Sequence, residues 1–271
     1  MLPPAPPRSL IVTIYGLYAR EVGGWLSVAT LIRMLALLGV DEPAVRSSIS
    51  RLKRRGILVA ERVDGAAGYG LSDSAREILA EGDQRIFTRR TASLDEGWVL
   101  AVFTVPEGER ARRHLLRSRL SWLGFGNVTP GVWIAPAHRA GAAADVLGRS
   151  GLGSYVDLFT AQHLDPAGLR ERVAQWWDLD QIQTSYGAYL EKWGPVLDSW
   201  RRRAGAPAAA FADYVSTLTA WRRLPYLDPG LPKEVLPDGW RGADAAEVFF
   251  ALRDRLAEPA HEFVSSIRNH R

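Results

Sequence analysis

Residues 41–71 read DEPAVRSSISRLKRRGILVAERVDGAAGYGL. Asp41 is a good helix N-cap, and Pro43 sits in the first turn, where its missing N–H costs nothing. Val45, Ile49 and Leu52 fall at i, i+4 and i+7 and make one apolar stripe. The spacing predicts a helix over Asp41–Arg55, stopped by Gly56. Ile57-Leu58-Val59-Ala60 reads as a strand. Asp64-Gly65 and Gly68 supply turn chemistry, and Tyr69-Gly70-Leu71 returns as a second strand. The face opposite the stripe carries Arg46, Ser47, Ser50, Arg51, Lys53 and Arg54. A helix held by a thin apolar seam and presenting Arg and Ser outward can enter a DNA major groove. Its N-terminal half would reach base edges, and Lys53-Arg54-Arg55 would meet phosphates. A plainer reading is that Arg54 and Arg55 only complement the helix dipole.

The neighbouring sequence extends this unit. Leu10, Ile11, Ile14, Leu17 and Tyr18 predict a helix from Pro7 to Glu21, broken by Gly23-Gly24. A second helix covers Ser27–Leu38 and ends at Gly39. Downstream, Ser72 or Asp73 caps a helix running to Phe87. Helix–helix–helix–strand–turn–strand is the order of a winged helix-turn-helix. Charge points the same way. Residues 1–90 carry 13 basic and 9 acidic side chains, whereas 91–165 carry 7 of each and 166–271 carry 14 of each. The whole excess of +4 lies where a phosphate-binding surface is expected.

Residues 91–165 alternate differently. Trp98–Val105 is a strand, and Glu107–Leu123 is a helix preceded by Pro106. Val128–Pro136 suits a hairpin across Pro130-Gly131. Ala137–Leu147 is a short helix and Ser154–Thr160 a further strand. This order matches a ferredoxin-like α/β sandwich. Residues 166–271 hold helical stretches at Ala167–Trp177, Asp180–Asp198, Ala208–Arg223 and Ala243–Asn269, with a Pro-rich span at Leu224–Gly242. The predicted fold class is α+β and multidomain. It comprises an N-terminal winged helix-turn-helix (1–90), a central ferredoxin-like α/β sandwich (91–165) and a mainly α-helical C-terminal domain (166–271).

Composition narrows the chemistry. With no cysteine among 271 residues, a disulfide scaffold, a thiolate zinc site and a cysteine nucleophile are excluded. The start, MLPPAPPRSL, has no apolar core of a signal peptide, and the longest apolar run, Leu31–Val40, contains Arg33 and is too short to span a bilayer. A cytoplasmic location is expected. There is no phosphate-loop motif and no nucleophile elbow. His114, His138, His163, His261 and His270 lack metal-ligand spacing. No cofactor is predicted, and the chain is not expected to be an enzyme. The competing enzymatic reading is a metal-dependent nuclease built on the central domain. It would need a carboxylate at the end of the first central strand. That strand ends in Pro106, and the first acid is Glu107.

Several short stretches taken together carry a family resemblance. They are Pro7-Arg8-Ser9-Leu10-Ile11, Ala44-Val45-Arg46-Ser47 followed by Arg51-Leu52, Arg85-Ile86-Phe87, and Pro130-Gly131-Val132-Trp133-Ile134-Ala135-Pro136. Further on come Trp177-Asp178-Leu179, Arg223-Leu224-Pro225, Asp228-Pro229-Gly230-Leu231-Pro232, and Leu236-Pro237 with Trp240. In this order and spacing the chain resembles the phenylacetic acid degradation repressors, the PaaX-type regulators, over nearly its full length. The resemblance implies a winged-helix DNA-binding domain, a central domain similar to a CRISPR spacer-acquisition nuclease subunit, and a helical C-terminal domain. It also implies a homodimeric repressor of an aromatic-catabolic operon, released from operator DNA by an aryl-CoA thioester such as phenylacetyl-CoA. One departure falls in the wing, where the family's Gly-Arg followed by Ser and Tyr is replaced by Asp64-Gly65-Ala66-Ala67-Gly68-Tyr69.

For such an effector, an aromatic-lined pocket would take the aryl head and clustered arginines the phosphates. Arg222 and Arg223, beside Trp221 and Tyr226, are the favoured candidates. Arg201-Arg202-Arg203 is the other cluster and reads as a solvated helix end. Most aromatics of this region are expected to be core.

Overall fold

The computed structural model describes residues 4–20, 23–88, 90–165, 167–202 and 205–269. They form an α+β chain with two small antiparallel sheets, divided between two compact units. The first unit comprises residues 1–87, 187–222 and 242–271, and the second 88–186 and 223–241. The units are therefore not consecutive in sequence, and the helices beyond residue 166 are shared between them.

In the first unit, α1 (Pro7–Ile14) runs on into a π-helical turn at Tyr15–Ala19. Glu21, the predicted end of this helix, lies outside the described residues. A short strand, β1 (Trp25–Ser27), leads into α2 (Val28–Ala36), whose N-cap is Ser27, with its hydroxyl accepting from the Thr30 N–H at 3.0 Å. Then come α3 (Glu42–Arg54), β2 (Leu58–Val63), β3 (Ala66–Leu71) and α4 (Asp73–Phe87). Asp64 and Gly65, at φ 49° and 80°, close the two-residue turn between β2 and β3, as a tight hairpin demands. The Ser72 hydroxyl caps α4 by accepting from the Ala75 N–H at 3.2 Å. The sheet order is β1-β3-β2, with Leu26 opposite Tyr69 and Ala60 opposite the same residue from the other side.

The sequence reading did not predict β1. It pairs because Gly68 has no side chain: a Cβ there would meet the Trp25 ring at 2.4 Å and the Leu26 carbonyl at 2.5 Å. The Tyr15 hydroxyl, from the π turn, donates to the Tyr69 carbonyl at 2.8 Å and ties α1 to the sheet.

Three long helices complete this unit: α8 (Leu179–Arg202, from residue 187 onward), α9 (Pro207–Trp221) and α11 (Gly242–Asn269). Tyr18 packs on Phe211 with ring centroids 5.8 Å apart, Phe87 on Phe249 at 6.2 Å, and Trp221 stacks on Phe249 at 4.8 Å. The Thr219 hydroxyl lies 2.7 Å from that of Thr13.

In the second unit, β4 (Trp98–Phe103), α5 (Arg110–Leu123), β5 (Gly126–Thr129), β6 (Val132–Pro136), α6 (Ala140–Arg149) and β7 (Val156–Ala161) follow in that order. The sheet order is β5-β6-β4-β7, every pair antiparallel. Val99, Ala101, Phe103, Trp133 and Ala135 point to one face, where Leu116, Leu120 and Leu123 of α5 and Ala143 and Leu147 of α6 complete the core. Both helices thus cover the same side of the sheet. On the opposite side, Trp177, just after α7 (Leu169–Trp176), packs on Trp98 with ring centroids 6.3 Å apart, and its indole N–H donates to the Gly124 carbonyl at 3.0 Å. The short helix α10 (Leu224–Leu227) and the turns up to Arg241 belong to this unit.

Candidate nucleic-acid interface

The α3 helix is built as its sequence demands. Asp41 Oδ1 accepts from the Ala44 N–H at 2.8 Å. Val45, Ile49 and Leu52 are buried, joined by Ser48. Arg46, Ser47, Ser50, Arg51, Lys53 and Arg54 are all exposed. At about 100° per residue the outward face centres on Ser47, Ser50, Arg51 and Arg54, with Arg46 and Lys53 on one shoulder. Arg46 pairs with Glu42 at 2.7 Å, and an Arg51 Nη donates to the Ser47 hydroxyl at 3.3 Å. Both members of the Arg46–Glu42 pair are more than half exposed, so it is worth only about 0.3–0.5 kcal/mol and a phosphate or base can displace it. Arg51 is likewise aimed across the centre of the face. In the turn between β2 and β3, an Arg62 Nη donates to the Gly65 carbonyl at 3.2 Å, so a cation stands beside the turn even though the turn itself has none.

The predicted ligand residues do not assemble as one cluster. Trp221 is enclosed in the first unit, 1% exposed, and its indole N–H donates to the Ile86 carbonyl at 3.1 Å. Arg222 belongs to the same unit and donates to the Ser9 carbonyl at 3.3 Å. Arg223 and Tyr226 belong to the second unit, where Arg223 is exposed and the Tyr226 ring lies 5.6 Å from that of Trp122. Trp221 is therefore a core residue rather than the wall of a pocket, and Arg222 anchors the start of α1.

The second cluster fares no better. Arg201 pairs with Asp198 at 3.2 Å, and Arg203 lies outside the described residues. Beside Arg201 a groove of about 330 Å³ is lined by Gly194, Leu197, Asp198, Asp244, Glu247 and Val248. Three carboxylates against one guanidinium make it a poor phosphate site.

The central strand gives the nuclease reading nothing to use. No carboxylate lies on β4, and Glu109, beyond it, accepts from the Tyr155 hydroxyl at 2.7 Å and pairs with Arg112 at 2.9 Å. Among the described residues no group of three or more His, Asp or Glu is placed to hold a metal ion, and no helix is long and apolar enough to cross a membrane.

The second unit holds a buried polar hub that sequence reading missed. The Tyr186 hydroxyl donates to Asp228 at 2.6 Å, and the Gly230 N–H donates to its other oxygen at 2.8 Å. Burial lowers the Arg139 pKa from its ordinary value, with Asp228 opposing that shift. The only sequence signal was the Asp-Pro-Gly turn itself.

Comparison with known proteins gives matches along the chain. The family models that match are a PaaX-like protein model at residues 6–75, the PaaX protein central Cas2-like domain at 91–173 and the PaaX-like protein C-terminal domain at 177–266. The chain is 28% identical over 268 residues to the Transcriptional repressor PaaX of Escherichia coli (strain K12), covering 97% of this chain and 84% of that protein. Its fold is similar to that of the uncharacterized protein Rv0674 from Mycobacterium tuberculosis, with a TM-score of 0.62 and 23% identity over 96% of this chain and 98% of that one. With PaaX models matched in sequence from residue 6 to residue 266, the chain belongs to the PaaX family.

Proposed function

We propose that the chain is a DNA-binding transcriptional regulator, a homodimeric repressor whose recognition helix is α3. The observation that carries this reading is the exposed Arg46, Ser47, Ser50, Arg51, Lys53 and Arg54 face, mounted on a three-residue apolar seam and braced by the β1-β3-β2 sheet. Helices α1 to α3 followed by a hairpin support a winged helix-turn-helix. The β5-β6-β4-β7 order with two helices on one face supports a ferredoxin-like central fold. The likeness to a protein named a transcriptional repressor supports repression. One recognition helix covers too few base pairs for a genomic address, so two copies read two half-sites about one or more helical turns apart.

The effector in this reading is an aryl-CoA thioester such as phenylacetyl-CoA, with exposed Arg223 and half-buried Tyr226 as its contacts. Such a ligand releases DNA only by favouring an arrangement in which the two helices no longer match the half-sites. The reading is tested by an electrophoretic shift on the DNA upstream of the chain's own coding region. Arg46→Ala and Arg51→Ala are each expected to cost about 1–3 kcal/mol of specific affinity. Phenylacetyl-CoA is expected to release the wild type, and light scattering is expected to give the complex two protein copies. Wild-type affinity in both variants at physiological salt would remove α3 as the reader. No release by any aryl-CoA would remove the effector.

A further inference from the structure

Glu42 is the one acid of α3, placed at its first position on a helix whose other exposed charges are all basic. Phosphates repel an acid there, so a helix that only had to grip DNA is better without it. The helix dipole does not account for it either. Asp41, one residue earlier, is already the N-cap and sets a carboxylate against the same end of the helix. What Glu42 does in the structure is hold Arg46.

The hold is one-sided. Arg46 Nε donates to Glu42 Oε1 at 2.8 Å, and Arg46 Nη2 lies 2.7 Å from the same oxygen. These contacts occupy one edge of the guanidinium. The other edge keeps two N–H groups side by side, on Nη1 and Nη2. Among the described residues, neither Nη1 of Arg46 nor Oε2 of Glu42 takes a hydrogen bond, and the two side chains are 61% and 51% exposed. The pair therefore offers two donors and, beyond the engaged Oε1, one acceptor. A helical side chain leans toward the N-terminus of its helix, so Arg46 reaches back over the first turn. That is the end at which a recognition helix meets base edges.

We propose that Glu42 and Arg46 act together as the reader of a single G·C base pair. In the major groove such a pair shows two acceptors, guanine N7 and O6, and then one donor, the cytosine N4 amino group. Two donors followed by an acceptor are its complement. An A·T pair alternates acceptor, donor and acceptor, and a C·G pair presents the same groups in reverse, so both mismatch. A phosphate can take Arg46 only by breaking the exposed ion pair, whereas a G·C pair binds it intact. Glu42 thus adds a contact to cytosine and keeps the guanidinium off the backbone. This inference rests on α3 as the recognition helix and extends that reading to what the first turn recognises.

The test is fluorescence anisotropy with the full-length chain. The duplex comes from the DNA upstream of its own coding region and is changed one base pair at a time, with a shuffled duplex of equal length beside it. The wild type is expected to favour G·C about 10- to 100-fold at one base pair of each half-site. Arg46→Ala is expected to abolish the preference at that base pair. Glu42→Ala is expected to cut it about 5- to 10-fold at the same base pair and to leave the other positions unchanged. It should also bind the shuffled duplex about 2- to 5-fold more tightly, because a negative charge facing phosphates is gone. Circular dichroism is expected to give both variants the helix content of the wild type. A Glu42→Ala profile identical to that of the wild type at every position would reduce the contact to a surface ion pair and overturn the proposal. Losses at different base pairs in the two variants, or at a shared pair other than G·C, would overturn it as well. A wild type that binds both duplexes equally would overturn it together with α3 as the reader.

Discussion

Tyr15 and Tyr189 sit at two load points of the first unit, and burial pushes both phenols well above their ordinary pKa. The Tyr15 hydroxyl holds β3, and the Tyr189 hydroxyl lies 2.6 Å from that of Thr217 on α9. In the unfolded chain both would ionise near pH 10. Below that pH the two states bind the same protons at these groups, and neither tyrosine makes stability vary. Above it the unfolded state releases protons that the folded state keeps, so stability falls as pH rises, by about 1.4 kcal/mol per pH unit for each phenol. Urea denaturation of the whole chain between about pH 8 and 12 is expected to be steeper in the alkaline range for the wild type than for Tyr189→Phe. The variant should lose about 1 kcal/mol at neutral pH, for the bond to Thr217. Identical alkaline slopes would show that the Tyr189 phenol is not held neutral. Residues of this kind also explain the family's short motifs. Ile86 receives Trp221, Trp177 seats against Trp98, and Asp228 gathers Tyr186 and Gly230, so each of these stretches packs the interior of its own unit.

At the scale of elements, the parts legible in the sequence were those governed by local physics. Asp41, Ser72 and the Asp64-Gly65 turn are local devices, and the structure uses each of them as its composition dictates. The apolar seam of α3 was likewise readable, because three buried positions at i, i+4 and i+7 have no other use. What escaped was non-local. The three residues of β1 form no pattern of their own and become a strand only because Gly68, far along the chain, leaves room for Trp25. The division of the predicted effector residues escaped at the same level. Adjacent numbers, Trp221 to Tyr226, fall on either side of a division between compact units that no local signal marks.

At the scale of the molecule, the first 90 residues look self-sufficient in sequence but not in structure. The sides of α1 and α4 that face away from the small sheet are covered by α9 and α11 through Tyr18 on Phe211, Phe87 on Phe249 and Thr13 on Thr219. An Arg222 Nη donates to the Ser9 carbonyl at the start of α1, and an Arg33 Nη on α2 donates to the Ile267 carbonyl on α11. Baring the buried Tyr18 ring to water costs about 1.5–3 kcal/mol, and the half-buried Phe87 ring adds a smaller amount. That is a large share of the roughly 5–10 kcal/mol that a domain of this size has to spare. A fragment ending at Arg90 is therefore expected to melt far below the first unit of the intact chain, with a broad transition and with binding of a hydrophobic dye. It should also bind operator DNA more weakly than the chain does, although it keeps every residue of α3. Circular dichroism melts and anisotropy on the same duplex check both. A cooperative melt at the temperature of the full chain would show that the C-terminal helices merely rest on the first 90 residues instead of completing their core.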